Sequence, residues 1–474
     1  MISIDMLPDN VLLEAFHFYV DQNWDGDEDE DEDINRKKKI EGWQPLVHVC
    51  RRWRSIVFGS PRRLNLGLVC TTDIRARDTV DIWPALPLVI QDLGYDTGSM
   101  DNTIAFELLE RSDLVRRISQ IHLRNVSSWE LEDISEAMKV PFPELTHLVL
   151  HHHDDDRTKP ALPLSDSLLG GSAPRLRFLD LEGIPYPGLP KLLLSATHLT
   201  HLNLSHIPDF GYFPSEAMAA CLSTLTSLER LFLEFRFPQP LPDQESQCSP
   251  PSIRTSLSVL DYFTFRGGGE YLEVLMARID APRLRDLDIT FFNDIVFVTP
   301  QFTRFISHTP TMEAFDEATV TLEGRTASVE LSSAYARLNV SIYCRELDWQ
   351  LSFLEQVCTS SLPPLSTLQD LYMMSGRPLP QDFKDNIDYA QWLELLHSFS
   401  AVKNLYLSEE LAPFVVPALQ DLIGVRTTEV FPTLKNIFLE EPSGPVQEGI
   451  RKFVAARQGT SHSVTVSSWD IYSN

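Results

Sequence analysis

The residues best suited to metal chemistry are the histidines and aspartates that run from His151 to Asp156. Imidazole nitrogens and carboxylate oxygens are common zinc ligands, but consecutive side chains point in different directions, whereas metal ligands usually lie a few residues apart. His198, His201 and His206 are nearer to such a spacing, although they straddle a predicted strand. We therefore predict a solvated loop at the first run and no metal site.

Motifs for catalysis or for phosphate binding are incomplete. The glycine run Gly267–Gly269 lacks the Lys-Ser or Lys-Thr pair of a phosphate-binding loop and the glycine spacing of a dinucleotide site. No Gly-x-Ser-x-Gly sequence occurs, and no cysteine stands in the local signature of a protease nucleophile. We predict a protein that is not an enzyme and that carries no cofactor.

Composition restricts the classes of partner. The 474 residues include 67 acidic and only 40 basic side chains, which gives a net charge of −27. Nucleic acids and anionic membrane surfaces attract basic proteins, so this balance disfavours both. Six scattered cysteines indicate free thiols in a reducing compartment, and no apolar run reaches the length of about 20 residues that crosses a bilayer. A cytoplasmic or nuclear protein is expected.

The dominant pattern past residue 60 is a recurring phrase, Leu-x-x-Leu-x-Leu. It predicts the strands and helices on which functional residues would lie. Its occurrences up to Leu284 are spaced 23 to 31 residues apart. The ten occurrences begin at Ile118, Leu145, Leu176, Leu199, Leu228, Leu257, Leu284, Leu368, Val402 and Leu434. The 84 residues between Leu284 and Leu368 leave room for two weaker units, at 312–315 and 338–342. Between the phrases, apolar residues recur at helical spacing.

The phrase and its period resemble those of leucine-rich repeats, in which each unit contributes one strand and one returning helix. The resemblance implies an α/β fold over residues 60–474. That fold would be a solenoid of about 12 irregular units, with parallel strands on the concave face and helices on the convex face. Three longer inserts, His151–Pro163, Phe237–Pro251 and Gly376–Asp388, are predicted to be surface loops.

Two apolar stripes at helical spacing lie within residues 1–58 and predict a small helical module. Pro8 stands where the first turn of a helix tolerates a missing N–H. A segment at about 21–42 separates the stripes and carries eight acids between Asp25 and Asp33, which is typical of a self-repelling, solvated insert. A module this short cannot bury all of its large side chains, so apolar surface should remain for a partner.

The order Leu-Pro, apolar helix and then Val-Cys-x-x-Trp resembles the F-box, a helical module that docks on the Skp adaptor of cullin-based ubiquitin ligases. The matching residues are Leu7, Pro8, Leu12, Phe16, Val49, Cys50 and Trp53. The resemblance implies adaptor contacts through these seven residues together with Val11 and Leu46. It also implies a substrate-receptor subunit of a Skp–cullin–F-box ligase, without a catalytic site of its own.

The outward positions of the predicted strands are the candidate substrate-binding residues, because side chains alternate between the two faces of a strand. They combine aromatic rings with acids, which suits an unidentified protein partner with exposed Lys or Arg. These residues are Phe178, Asp180, Glu182, His201, Arg230, Phe232, Glu234, Asp286, Asp288, Tyr372, Tyr406 and Phe438. Two alternatives stay open: an interaction scaffold whose N-terminal helices only cap the repeats, and a small-molecule receptor.

Overall fold

The computed structural model describes most of the chain, and it divides into two compact units, Met1–Tyr212 and Phe213–Asn474. The described residues are 4–22, 42–61, 63–64, 66–71, 80, 86–91, 108–152, 163–236, 254–292, 299–344, 346–375, 389–422, 430–441, 443–458 and 463–469. Strands and helices alternate in both units, so the predicted α/β class is confirmed. Among the helices in these ranges, none has the length and apolar character needed to cross a membrane.

In the described part of residues 4–61, three α-helices confirm the helical stripes, and the second stripe is divided between two of them at Cys50. They are α1 (Asp9–Gln22), α2 (Gln44–Val49) and α3 (Arg51–Gly59). Pro45 lies in the first turn of α2, where no intrahelical partner is available for a backbone N–H. Cys50 caps α3, because its Sγ accepts a hydrogen bond from the Trp53 backbone N–H at 3.5 Å. The acidic run Asp25–Asp33 lies outside the described residues.

The helices share one hydrophobic core with the chain that leads into the sheet. The buried members of this core are Leu12, Leu13, Phe16, Val20, Trp43, Leu46, Val47, Val57, Leu64, Leu66 and Leu86. The indole N–H of Trp43, itself fully buried, donates to the Gly67 carbonyl oxygen at 3.0 Å. The helical segment is therefore packed on the start of the sheet and belongs to the same compact unit.

The described part of the first unit continues with six strands that pair in chain order. They are β1 (Leu68–Cys70), β2 (Leu88–Gln91), β3 (Ile118–Val126), β4 (His147–His152), β5 (Phe178–Glu182) and β6 (His201–Ile207). Every neighbouring pair is parallel. Parallel pairing requires a crossover between strands, and α4 (Ser128–Ala137) and α5 (Leu189–Leu193) lie in two of these crossovers.

The described part of the second unit repeats this alternation of strands and helices. Its strands are β7 (Arg230–Phe235), β8 (Thr255–Ser256), β9 (Tyr262–Gly267), β10 (Ile279–Asp280), β11 (Asp286–Phe292), β12 (Glu317–Glu323), β13 (Thr326–Ser332), β14 (Arg337–Tyr343), β15 (Asp370–Met374), β16 (Asn404–Leu407), β17 (Asn436–Leu439) and β18 (Thr465–Ser468). Its helices are α6 (Ser215–Leu222), α7 (Gly269–Met276), α8 (Pro300–Ser307), α9 (Leu347–Gln356), α10 (Tyr389–His397), α11 (Ala412–Gln420) and α12 (Gly444–Gln458). The main sheet follows the order β7-β9-β11-β14-β13-β12-β15-β16-β17-β18, and β8 pairs with β10 apart from it.

The expectation that all strands pair in parallel is wrong between β11 and β15. Of the two weaker units, 338–342 lies within β14, but 312–315 lies before β12, because Ala318 rather than Phe315 is in register with Leu371. An additional strand, β13, lies between β12 and β14 and is antiparallel to both. The reason is the length of the connections. Only Gly324 and Arg325 separate β12 from β13, with Gly324 at a φ of +49°, and a two-residue loop can join antiparallel strands only.

The inward side chains of the recurring phrase form continuous rows across neighbouring strands, as predicted. In the first unit Leu148 is in register with Leu179, and Leu179 with Leu202. In the second unit the phrase that begins at Leu257 departs from the prediction, because Phe263, which was expected on the outward face, takes the inward position between Leu231 and Leu287. All of these side chains are fully buried. The apolar side chains of each strand are covered only when the adjacent strands pair with it, so the stability of each unit depends on its neighbours.

The three predicted loops fall largely outside the described residues, which leave out 153–162, 237–253 and 376–388. The first expectation needs one correction. His151 and His152 are the last residues of β4 and are not part of a loop, because the strand extends past the buried leucines of its phrase. The last described strand is β18 (Thr465–Ser468).

The alternation of buried and outward residues on β6 predicts a difference between adjacent substitutions. Leu202→Ala should lower the free energy of unfolding by about 2–5 kcal/mol, because it leaves a cavity in a fully buried row. Asn203→Ala, at a partly exposed position, should lower it by less than about 0.5 kcal/mol. Denaturant unfolding of both variants measures the difference, and equal losses would contradict the assignment of faces.

Candidate functional site

An open apolar groove of about 360 Å³ lies on the helices of the first unit. Residues of α1 and the turn before it face residues of α2 and α3 across it. The lining residues are Ile4, Leu7, Leu12, Ala15, Phe16, Tyr19, Pro45, Leu46, Val49 and Trp53. The lining side chains are apolar except for the phenol hydroxyl of Tyr19 and the indole N–H of Trp53, so the groove suits an apolar side chain or helix face of a partner.

The groove has a buried floor and an exposed rim. Leu12, Phe16 and Leu46 belong to the core of the helices and are almost fully buried. The rings of Phe16 and Trp53 are 4.6 Å apart at an angle of 56°. At the rim, Val49 is 59% exposed and Tyr19 is 41% exposed. Core packing therefore fixes the floor, while apolar surface at the rim stays in contact with water, as expected for an interaction site.

Two arginines of α3 hold the walls of the groove in position. Arg52 Nη2 donates to the Leu7 carbonyl oxygen at 2.5 Å, and Arg52 Nε donates to Asp9 Oδ1 at 3.0 Å. These bonds connect α3 to the start of α1. Arg54 Nε donates to the Val47 carbonyl oxygen at 2.9 Å and so connects α3 to α2. The Arg52–Asp9 ion pair is partly exposed, so it adds little stability but fixes the geometry of the groove.

Six of the nine predicted adaptor contacts line this groove. They are Leu7, Leu12, Phe16, Leu46, Val49 and Trp53. The other three are Pro8 and Val11, which are exposed, and Cys50, which is half-buried as the cap of α3. The position of Leu7 before the helix predicts little contact with its own module. The structure corrects this expectation, because the Leu7 side chain packs against the helical core.

The groove also contains four residues that are not among the predicted contacts. Ala15 and Tyr19 continue the helical stripe of α1, and that spacing could have identified them. Ile4 lies in the short helical turn Ile4–Met6, and Pro45 lies at the start of α2. No periodic pattern covers these two positions, because they belong to the ends of elements.

On the strands of the first unit, aromatic rings form a row on the face that carries the predicted substrate contacts. Phe178 lies between His147 and His201, with ring centroids 5.8 and 5.4 Å away. Strand register places the three residues side by side on β4, β5 and β6. The row is a flat, partly exposed surface built from rings of three different strands.

Acids follow this row toward the carboxyl ends of the strands. His151 Nε2 lies 3.1 Å from Asp180 Oδ2, and His151 Nδ1 lies 3.4 Å from Glu182 Oε2. The ring of His206 approaches the other oxygen of Glu182 at 3.5 Å. In the part of the chain that the structure describes, no group of three or more His, Cys, Asp or Glu side chains is arranged to hold a metal ion. Residues 153–156 of the histidine–aspartate run lie outside that part.

The predicted contacts on β7 and β11 also lie on one face of the second unit's sheet. Register and alternation place Arg230, Phe232 and Glu234 on this face of β7, and Phe232 stacks on the ring of Tyr262 at 4.9 Å. On β11, Asp286 and Asp288 share the face with two polar residues of β14. The two aspartates contact charged and polar side chains rather than aromatic rings.

The β11 aspartates are held by β14. Arg337 Nη1 lies 3.7 Å from Asp286 Oδ1, and Asn339 Nδ2 donates to Asp288 Oδ1 at 3.0 Å. Burial raises the pKa of both carboxyl groups above the usual value for aspartate. Arg337 Nη2 also donates a hydrogen bond to Glu330 Oε2 of β13 at 2.8 Å. One guanidinium group therefore interacts with both Asp286 and Glu330.

The rings on β15, β16 and β17 form a tighter group, named here the aromatic stack: Tyr372, Tyr406 and Phe438. Consecutive ring centroids are 4.2 and 4.5 Å apart, with interplanar angles of 13° and 8°. Trp469, just after β18, lies 5.9 Å from Tyr372 and 5.4 Å from Tyr406. Burial raises the pKa of both tyrosine hydroxyls. The stack is the largest cluster of rings among the predicted substrate contacts.

The described residues thus present two candidate surfaces: the groove on the N-terminal helices and the outward face of the strands in each unit. No model of a known protein family matches the chain, and no curated protein matches it either. Assignment of a function therefore depends on the geometry and the chemistry of these two surfaces.

The buried carboxyl of Asp288 predicts a pH-dependent effect on stability. A carboxyl whose pKa is raised by folding stabilises the fold below the unfolded pKa of about 3.9 and loses that contribution as the pH rises through the folded pKa. Asp288→Asn should therefore increase the free energy of unfolding at pH 7, and the gain should vanish below pH 4. Urea unfolding at the two pH values measures it, and a gain independent of pH would contradict the account.

Proposed function

We propose that the chain is a substrate-receptor subunit of a Skp–cullin–F-box ubiquitin ligase. In this proposal the helices α1–α3 are an F-box and the strand–helix units are irregular leucine-rich repeats. The observation that carries the proposal is the groove. Residues chosen for their resemblance to the F-box pattern come from two segments, 7–16 and 46–53, and six of them line a single open apolar concavity.

Docking through this groove has a clear physical basis. The exposed rim side chains, such as Val49 and Tyr19, lose water contact when a partner covers them, which stabilises the complex by roughly 25 cal/mol per Å² of apolar surface. The floor is already fixed by the core, so little side-chain ordering is required on binding. A fixed floor with an apolar rim is the arrangement from which binding hot spots are built.

The repeat assignment is supported by the parallel strands, by the helices between them and by the buried rows of phrase residues. The outward strand residues would then select the substrate. Catalysis would be supplied by another subunit, and this chain would act by proximity. Holding the substrate and a ubiquitin-loaded enzyme on one scaffold replaces a bimolecular encounter by an intramolecular one and raises the effective concentration.

A second candidate function is an interaction scaffold that has no ligase partner. One observation favours it: the helical core continues into Leu64, Leu66 and Leu86, so the helices also cover apolar residues at the start of the sheet. Terminal units of stacked folds need such a cover. Capping alone, however, does not require an open apolar groove whose rim exposes side chains such as Val49 and Tyr19.

The groove predicts a difference between two valines of the first unit. Val49 lies on the groove rim, whereas Val140 follows α4 and does not line the groove; both are about half exposed. Val49→Glu should weaken binding of the Skp adaptor about tenfold or more, roughly 1.4 kcal/mol, because it places a charge in an apolar contact. Isothermal titration calorimetry with the purified chain and adaptor measures the change.

Val140→Glu serves as the matched control, since it makes the same change at a similar exposure. It should leave the adaptor affinity within twofold of the parent value, and both variants should keep the parent unfolding midpoint. If both variants lose affinity equally, or if the parent chain does not bind the adaptor, the ligase proposal fails and the scaffold takes its place.

A further inference from the structure

One face of Tyr372, at the end of the aromatic stack, is turned toward β12, the neighbouring strand on that side. Tyr406 covers the other face, because the two rings are nearly parallel at 4.2 Å. On the uncovered side the neighbouring strand is β12, where Thr319 is in register with Tyr372. The next strand, β13, places Glu330 in register with Thr319. The side chains of Tyr372 and Glu330 thus lie on either side of the shorter side chain of Thr319.

The spacing of the strands sets the width between the backbones on either side of Thr319. Neighbouring strands lie about 4.8 Å apart, so the backbones that carry Tyr372 and Glu330 are about 10 Å apart. The threonine side chain between them is short and only partly buried. We name this feature the notch and define it by Glu317, Thr319, Glu330, Asp370 and Tyr372.

Carboxylates surround the notch. Glu317 and Asp370 are in register with each other and lie two residues before Thr319 and Tyr372, so they point to the same face. Both acids help to raise the pKa of the Tyr372 hydroxyl, after the larger effects of burial and of Tyr406. Glu317 is exposed, whereas Asp370 accepts a hydrogen bond from Asn404 Nδ2 at 2.7 Å.

The charge on this part of the sheet is unbalanced. The two rows that cross β11, β14, β13, β12 and β15 contain five acids and one base. Their residues are Asp286, Arg337, Ser332, Glu317, Asp370, Asp288, Asn339, Glu330, Thr319 and Tyr372. The single base, Arg337, is already engaged by Glu330 and Asp286. The surface therefore complements a positively charged partner and repels phosphates and anionic lipids.

We infer that the notch binds an arginine side chain of a basic protein segment that lies along the strand face. The guanidinium would stack on the uncovered face of Tyr372 and donate hydrogen bonds from its edge to the carboxylate oxygens of Glu317 and Asp370. A planar cation with several donors fits this combination better than a lysine ammonium, which cannot stack and bond in one plane at the same time. If the proposed function is correct, this segment belongs to the substrate.

A titration of the full chain with fluorescently labelled peptides tests the inference. Three Gly-Ser peptides carry three arginines, three lysines or three citrullines, the last being a neutral isostere of arginine. Fluorescence anisotropy at low salt should give the tightest binding for the arginine peptide, at least threefold weaker binding for lysine, and no saturable binding for citrulline. Equal binding of the citrulline peptide, or tighter binding of the lysine peptide, would overturn the inference.

Substitutions separate the notch from the general negative charge of the chain. Glu317→Gln should weaken the arginine peptide at least threefold, whereas Glu323→Gln, the same change at an exposed position near the other end of β12, should leave it within 1.5-fold. Tyr372→Leu should also weaken it while the unfolding midpoint stays within a few degrees. If the Tyr372→Leu midpoint falls further than that, the comparison of Glu317→Gln with Glu323→Gln tests the inference by itself. Equal losses at Glu317 and Glu323 would mean that only the overall charge attracts the peptide, which contradicts the inference.

The Val49→Glu variant distinguishes this inference from the proposed function. The variant should bind the arginine peptide as the parent chain does, since the notch and the groove belong to different units. Arginine selectivity without any adaptor binding by the parent would support the notch and refute the ligase proposal. Adaptor binding without arginine selectivity would refute the notch and leave the ligase proposal intact.

Discussion

The structure depends on the burial of leucine-type side chains between neighbouring strands. A single strand with its returning helix exposes one apolar row, and only the next unit can cover it. Leu179 is enclosed in this way between Leu148 and Leu202, and Phe263 between Leu231 and Leu287. Because inward positions are fixed by this packing, the outward positions between them are left to vary. Those positions carry the aromatic rings, acids and histidines on which any recognition by the sheet depends.

The same constraint explains the N-terminal helices. The chain before β1 presents Leu64 and Leu66, and the helices bury both of them in the core that contains Phe16 and Trp43. A helical layer that covers the beginning of a sheet has a second side that faces solvent. On that side α1 and α2 leave Tyr19 and Val49 exposed around a fixed floor. One short segment can therefore stabilise the sheet and offer an apolar groove, and Leu12, Phe16 and Leu46 serve both roles, because they belong to the core and form the floor of the groove.

Much of the fold could be predicted from the spacing of apolar residues, because that spacing reports which side chains are buried. The rows through Leu148 and Leu287 and the stripe through Leu12 and Phe16 are examples. The hairpin at Gly324 could not be placed by the same rule, since its strands alternate like any others; only the short Gly-Arg connection indicates antiparallel pairing. The notch could not be predicted either. It joins β12, β13 and β15, and their register is a property of the folded sheet.

The central claim is that the helical groove is a docking surface for the Skp adaptor. Hydrogen–deuterium exchange of the full chain, measured with and without the purified adaptor, tests it most directly. The account predicts slower exchange at backbone amides of α1, α2 and the start of α3, with the strands of both units unchanged. Protection of the strand face instead, or no change anywhere at saturating adaptor, would contradict the account.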